Sequence, residues 1–176
     1  SSQMLENAIT AGLCSVGADV LKLGVVPTPA VAYLVKEYGY DAGIMISASH
    51  NPCEYNGIKI FQSNGYKLPD ALENEIEAII LDNATPIPTP IGGGVGKARR
   101  KADAINDYIE HLLSATNMSF NGYKIALDCA NGSSSVSAEE VFTRLGAEVV
   151  VISDKPDGVN INKDCGSTHL ENLQKV

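Results

Sequence analysis

Apolar residues recur at helical spacing in the first stretch of the chain, and a run typical of a strand follows it. Four residues share this spacing: Leu5, Ile9, Leu13 and Val16. They predict an amphipathic helix that ends at Gly17, because glycine readily adopts the left-handed conformation of a helix end. The apolar run ADVLKLG that follows predicts a short strand.

A second helix and a second strand are predicted over residues 28–47. Thr28 and Pro29 suit a helix cap and a first helical turn, and Gly39 closes the pattern. The apolar run AGIMIS comes next. Strand, helix and strand joined by short connections are typical of a parallel βαβ unit. The polar residues after AGIMIS are therefore expected at the carboxyl end of a parallel strand, where open α/β sheets bind ligands.

The pattern then changes to a hairpin, a helix and a stretch without periodicity. Two apolar runs, GIKIF and YKL, flank residues 62–65, which end in Asn-Gly and predict a β-hairpin. Asp70 and Glu73 have the spacing of a capping box and begin a helix that is expected to end near residues 82–83. Residues 83–98 are rich in Pro, Gly and Thr, and we place a domain boundary near Lys97.

The second half of the chain repeats the mixture of helices and strands. Its predicted elements are a helix over residues 105–113, the strand YKIALDC, a helix capped by Ser137, the strand AEVVVIS and a last helix from Thr168. We therefore predict an α/β fold of two consecutive units, 1–97 and 98–176, with mixed, mainly parallel sheets. Both units are expected to be incomplete, because a two-stranded sheet and an uncapped last helix cover too little apolar surface.

Composition narrows the class of protein. Of the 176 residues, 44% are hydrophobic and 19% charged, which is typical of a globular chain. The formal net charge of -8 would repel nucleic acid and anionic membranes, so we expect neither as a partner. The cysteines are widely spaced, form no Cys-x-x-Cys pair and come without a recognisable secretory signal, which favours a reduced, cytoplasmic setting over disulfides or zinc. They are Cys14, Cys53, Cys129 and Cys165.

The residues most suited to catalysis lie in the stretch ISASHNP, which separates two apolar runs. On turn chemistry alone, Ser, Asn and Pro here indicate an ordinary turn. A second interpretation notes that Ser49 lies beside small Ala48, next to His50 and ten residues before Lys59. A serine hydroxyl near cationic groups suits phosphate carriage, because a dianionic phosphate needs positive charge, hydrogen-bond donors or a metal ion around it. The residue pattern alone leaves both interpretations open.

The stretch ISASHNP followed by NGIKIF resembles the phosphoserine loop of the α-D-phosphohexomutase family. Further stretches resemble the bacterial branch of that family that acts on glucosamine phosphate: MLENAITAGL, PTPAVAYL, NGYKLPD, LDCANG and GVNINKDCGSTH. The resemblance covers nearly the whole chain. It implies an intramolecular phosphotransferase that moves phosphate between carbons 6 and 1 of a sugar.

The resemblance also implies roles for individual residues. Ser49 corresponds to the phosphorylated catalytic serine, whose phosphate also contributes one ligand to a Mg2+ ion, and His50 is the histidine that follows it. Lys59 corresponds to a lysine that acts in acid/base chemistry or clamps the transferring phosphoryl group. The implied intermediate and activator is glucosamine 1,6-bisphosphate, and the partner is a small sugar phosphate. The oligomeric state is left open, with a homodimer among the options.

The family has a feature that this chain lacks. The family's aspartate-rich metal loop follows the region of Thr168, and the chain stops before such a loop. We therefore expect a piece of a longer protein that is inactive on its own. Two alternatives stay open: a mutase of the same family acting on glucose or mannose phosphate, and a noncatalytic module that binds sugar phosphate.

Other candidate residues have simpler interpretations. His111 and His169 are expected to be structural, and the glycine-rich stretch GGGVGKA to be linker, because it lacks the strand and the spacing of a phosphate loop. The segment LDCANGSSS could hold a phosphate on backbone N–H groups, but its residues also suit a plain turn. Cys53 would be reactive only if exposed and near a cation.

Overall fold

A computed structural model describes residues 1–82 and 86–176, in which helices and strands alternate. The helices are α1 (Ser2–Ser15), α2 (Thr28–Glu37), α3 (Asp70–Asp82), α4 (Ala104–Ser114) and α5 (Ala138–Arg144). The strands are β1 (Val20–Lys22), β2 (Ala42–Ile46), β3 (Ile58–Gln62), β4 (Ala98–Arg100), β5 (Lys124–Asp128) and β6 (Glu148–Ile152). None of the helices in the described ranges combines the length and apolar character needed to cross a membrane.

The strands form small sheets of mixed direction. β1 pairs with β4 and β5 pairs with β6, both in parallel, whereas β2 and β3 are antiparallel. The predicted α/β class with mixed, mainly parallel sheets is therefore confirmed.

The predicted parallel βαβ unit over residues 18–47 is wrong. β2 pairs with the next strand, β3, and Met45 lies opposite Lys59 in an antiparallel register. The backbone N–H of Ser47 donates to the carbonyl of Gly57 at 2.8 Å, so residues 47–57 form a long hairpin loop. Apolar runs indicate where strands lie but not which strands pair, so they do not determine the direction of β2.

A core forms where α2 packs against α4. Its buried members are Val26, Ala30, Val31, Leu34, Ala104 and Tyr108. β4 pairs with β1, and α4 shares this core with α2, so contacts cross the boundary predicted near residue 97. The division into units 1–97 and 98–176 remains a prediction.

The hairpin after β3 is present, with a short second arm. The backbone N–H of Gln62 donates to the carbonyl of Tyr66 at 2.8 Å, and Phe61 bridges to Lys67. Gly65 has a φ of +83°, and a Cβ there would lie 2.4 Å from the carbonyl oxygen of Ala32. Only glycine therefore fits this turn against α2.

The predicted helix ends are only partly correct. α2 begins at Thr28 with Pro27 as its cap, and neither α2 nor α5 has a side-chain cap hydrogen bond, although Ser137 does occupy the cap position of α5. α3 ends at Asp82, and Asn83 lies outside the described residues. The last helix predicted from Thr168 is wrong: only a 3-10 turn, Leu173–Lys175, is present. Leu170 is 49% exposed, so little packing supports a helix there.

Candidate active site

A cleft of about 380 Å³ opens between the loop after β2, strand β3, the segment after β5 and residues 161–167. The three residues singled out from the sequence, Ser49, His50 and Lys59, all line it. All three are exposed. The fold thus brings the serine and two basic side chains into one concave, accessible site.

The two serines of the loop have different environments. The backbone N–H of Ser49 donates to the hydroxyl oxygen of Ser47 at 3.1 Å, so the Ser47 side chain shapes the turn. Ser49 itself has a φ of +61°, in the left-handed region that non-glycine residues rarely adopt. Such strained positions concentrate at functional sites. Both serines line the cleft, but only Ser49 combines exposure with this strained backbone.

The loop is closed at its base by a glycine. A Cβ on Gly57 would lie 2.8 Å from the carbonyl oxygen of Ser47, closer than side-chain atoms approach a carbonyl. Glycine lets the two ends of the loop meet, and β3 then begins and carries Lys59 toward the cleft. The closure of this hairpin therefore brings Ser49 and Lys59 to the same cleft.

The opposite wall is fixed by the carboxylate at the end of β5. Asp128 Oδ1 accepts the backbone N–H of Ala130 at 2.8 Å, and Oδ2 accepts that of Gly166 at 2.7 Å. Both oxygens are therefore used to hold the wall together. A Cβ on Gly166 would lie 2.8 Å from the Cβ of Ala130, so these two segments are in close contact.

Asn162 joins this wall to the serine loop. Its side-chain amide donates to the carbonyl oxygens of Ser49 at 3.2 Å and Asn51 at 2.9 Å. The sequence pattern does not single out this residue, although it lies within the stretch GVNIN. An asparagine among turn residues is too common to attract notice, and only the fold shows that it lies beside a loop more than a hundred positions earlier.

The segment LDCANGSSS also lies at the cleft. Gly132, Ser133 and Ser134 line it, while the hydroxyl of Ser134 donates to the carbonyl of Cys129 at 3.2 Å. Burial raises the pKa of the Cys129 thiol, which keeps that thiol protonated. Cys53 is free and half-buried, as is Cys14, and no disulfide is formed by the four cysteines.

The remaining sequence candidates lie elsewhere. His111 stacks on the ring of Tyr33 with the ring centroids 3.7 Å apart, between α2 and α4. The backbone N–H of exposed His169 donates to the carbonyl of Gly166. The first three glycines of GGGVGKA form an exposed 3-10 turn, Gly92–Gly94, that does not line the cleft.

The residues at the cleft do not by themselves make a site for Mg2+. Among residues 1–82 and 86–176, no three side chains of the types His, Cys, Asp or Glu are grouped as metal ligands would be. Asp128, the carboxylate that lines the cleft, already accepts two backbone N–H groups.

Comparison with known proteins shows what this chain is similar to. Residues 1–86 match the family model for phosphoglucomutase/phosphomannomutase, alpha/beta/alpha domain I. The fold is similar to a phosphoglucomutase/phosphomannomutase family protein from Burkholderia thailandensis, with a TM-score of 0.76 and 27% identity over 98% of this chain and 37% of that one. Both of these similarities are to the α-D-phosphohexomutase family.

Within that family, the chain is similar to bacterial phosphoglucosamine mutases. It is 55% identical over 175 residues to the phosphoglucosamine mutase of Acetivibrio thermocellus, which covers 99% of this chain and 39% of that protein. It is 56% identical over 173 residues to that of Clostridium novyi, covering 98% of this chain and 38% of that protein. The chain thus spans about two fifths of the length of these relatives.

Proposed function

We propose that a protein of the relatives' length carrying this chain is a phosphoglucosamine mutase. It would interconvert glucosamine 6-phosphate and glucosamine 1-phosphate and so serve the synthesis of UDP-N-acetylglucosamine and cell-wall precursors. The observation that carries the proposal is the meeting of Ser49, His50 and Lys59 in one cleft of a chain that is 55% identical to such a mutase. Because the rest of the relatives' length is outside this chain, we expect residues 1–176 alone to be inactive.

The role of Ser49 in this proposal is to carry the phosphoryl group. In the first transfer, a sugar hydroxyl attacks the phosphorus of phosphoserine, the bond from phosphorus to Ser49 Oγ breaks, and the bisphosphate forms. The hydroxyl loses its proton to a base, and Oγ takes one up. After the bisphosphate turns round, the reverse transfer returns its other phosphoryl group to Ser49. Ser49 lines the cleft on a left-handed backbone, and its Oγ would take part in both steps from this one position.

His50 and Lys59 supply the surrounding charge. A transferring phosphoryl group passes through a state with charge spread over its oxygens, so catalysis depends on positioning and positive charge. Lys59, held on strand β3, would either clamp these oxygens or exchange a proton with the sugar hydroxyl. His50, beside the serine, would donate hydrogen bonds to the phosphate.

Further features of the proposal rest on the family resemblance. Glucosamine 1,6-bisphosphate would act as activator, restoring the phosphate on Ser49 when it is lost. One Mg2+ would bind with an oxygen of the Ser49 phosphate and supply positive charge, its other ligands coming from beyond this chain. A cytoplasmic location fits the four free cysteines, and the partner is a small sugar phosphate. A homodimer remains an option.

Replacing the two serines separately tests the proposal. In a protein of the relatives' length that carries this chain, Ser49→Ala should lower kcat for glucosamine 6-phosphate by about 10³-fold or more, because the carrier oxygen is gone. Ser47→Ala is the matched control from the same loop and the same cleft, and it should stay within about tenfold of the parent, since it removes the acceptor of the Ser49 N–H but leaves the carrier oxygen in place. A fully active Ser49→Ala variant would overturn the proposal. Parallel assays with glucose and mannose phosphates test the substrate.

A further inference from the structure

The serine loop meets the opposite wall of the cleft at one side chain. Residues 47–57 leave one antiparallel strand and enter the next, so their outer turn lacks the ladder hydrogen bonds of β2 and β3. Asn162 reaches this turn from a segment more than a hundred residues later. The carbonyls that it binds flank His50 on both sides.

The side chain of Asn162 suits this position for a specific reason. A primary amide has two N–H groups on one nitrogen, and here that nitrogen lies 3.2 Å from the carbonyl oxygen of Ser49 and 2.9 Å from that of Asn51. Asparagine also tolerates the left-handed backbone that Asn162 adopts, at a φ of +57°. An aspartate would fit the same space but would place a negative oxygen against two carbonyl oxygens.

Asn162 is itself held to the framework of the cleft. Its backbone N–H donates to the carbonyl of Ala130 at 2.9 Å. Ala130 is fixed in turn by the carboxylate of Asp128, which also accepts the N–H of Gly166. A continuous set of hydrogen bonds therefore runs from the end of strand β5 to the carbonyl of Ser49.

We propose that Asn162 is a positioning residue for Ser49: it holds the serine turn against the β5 wall so that the hydroxyl faces the transferring phosphoryl group. This inference rests on the proposed role of Ser49 as phosphoryl carrier. It adds that the wall formed after β5 sets the geometry of transfer through its hydrogen bonds to the serine loop. The expected effect is on the transfer step and not on binding of the sugar phosphate.

Two variants distinguish the contribution of the Asn162 side-chain amide from that of its backbone conformation. Asn162→Asp keeps the size of the side chain but replaces its two N–H donors with an oxygen acceptor. Asn162→Gly removes the side-chain amide and adopts the left-handed φ without strain. Asn172→Asp is the matched control, because its amide donates to the carbonyl of Asp164, outside the serine loop. All are made in the protein of the relatives' length that carries this chain, where folding is checked by thermal unfolding.

The first measurement is amide hydrogen exchange over residues 48–51. Both Asn162 variants should exchange about tenfold faster there than the parent, whereas Asn172→Asp should not change this segment. Unchanged exchange in both Asn162 variants would overturn the proposal. This measurement does not depend on the reaction, so it tests the contact even if the proposed function fails.

The second measurement is the rate of a single phosphoryl transfer from phosphorylated protein to glucosamine phosphate. We expect about a tenfold loss in rate for Asn162→Asp and Asn162→Gly with KM within about twofold, the pattern of an interaction that acts in the transfer step. An increase in KM with an unchanged transfer rate, or a transfer rate equal to that of the parent, would overturn the proposal. If Ser49→Ala also kept full activity, the proposed function itself would be wrong, which is a separate outcome.

Discussion

At the scale of single residues, the cleft depends on close approaches that few side chains allow. Gly57 and Gly166 each occupy a position where a Cβ would lie 2.8 Å from a neighbouring atom. The neighbour of Gly57 is a backbone carbonyl of the serine loop, which cannot move without moving Ser49. Glycine at this position is therefore a requirement of the loop's geometry.

Replacing Gly57 tests this requirement. Gly57→Ala should lower the free energy of unfolding by about 1–3 kcal/mol, because a methyl group is forced against the Ser47 carbonyl. The measurement is denaturant unfolding of the 176-residue chain. Gly93→Ala is the control, since a Cβ there meets nothing within 4 Å and its effect should be small. Equal effects of the two substitutions would contradict the close approach.

At the scale of elements, α2 and α4 are joined by a polar contact as well as by their apolar core. The hydroxyl of Tyr38, at the end of α2, donates to the carboxylate of Asp107 in α4, and Lys101 lies 3.1 Å from the same carboxylate. The Tyr38 hydrogen bond and then Lys101 lower the pKa of Asp107. Its negative charge is therefore favoured by folding.

This lowered pKa predicts a dependence of stability on pH. A carboxylate whose pKa is lower in the folded state stabilises the fold above its ordinary pKa of about 3.9, and this contribution is lost as the pH falls through the folded-state value. Asp107→Asn should therefore lower the melting temperature relative to the parent at pH 6, and the difference should shrink below pH 4. Melting temperatures across this range measure it. Asp41→Asn, at an exposed position, controls for charge removal, and a difference that is constant with pH would contradict the account.

Local patterns predicted the elements better than their pairing. Helices α1, α2 and α4 and strands β5 and β6 lie where periodicity places them, because an apolar face is encoded within a few turns of chain. The antiparallel pairing of β2 with β3 is decided by hydrogen bonds across residues 47–57, and residue patterns do not show these. The prediction of a last helix from Thr168 is wrong because a capping-box spacing supplies little stability without a surface for the helix to pack against.

At the scale of the whole molecule, the site is built from two distant parts of the chain. The residues that carry the proposed chemistry, Ser49, His50 and Lys59, could be named from the sequence because they lie in one local motif. The wall of Asp128 and Asn162 could not, since its place beside that motif depends on how the second half of the chain folds back. Motif resemblance therefore identifies the chemistry, and the fold identifies what positions it.

The central claim is that Ser49 carries the phosphoryl group, and direct mapping of the phosphate tests it. A protein of the relatives' length that carries this chain would be incubated with glucosamine 1,6-bisphosphate bearing labelled phosphate and with Mg2+, then digested and sequenced by mass spectrometry. We expect the label on Ser49, none on Ser47, and its transfer to sugar on addition of unlabelled glucosamine 6-phosphate. An active protein whose label never reaches Ser49 would contradict the account.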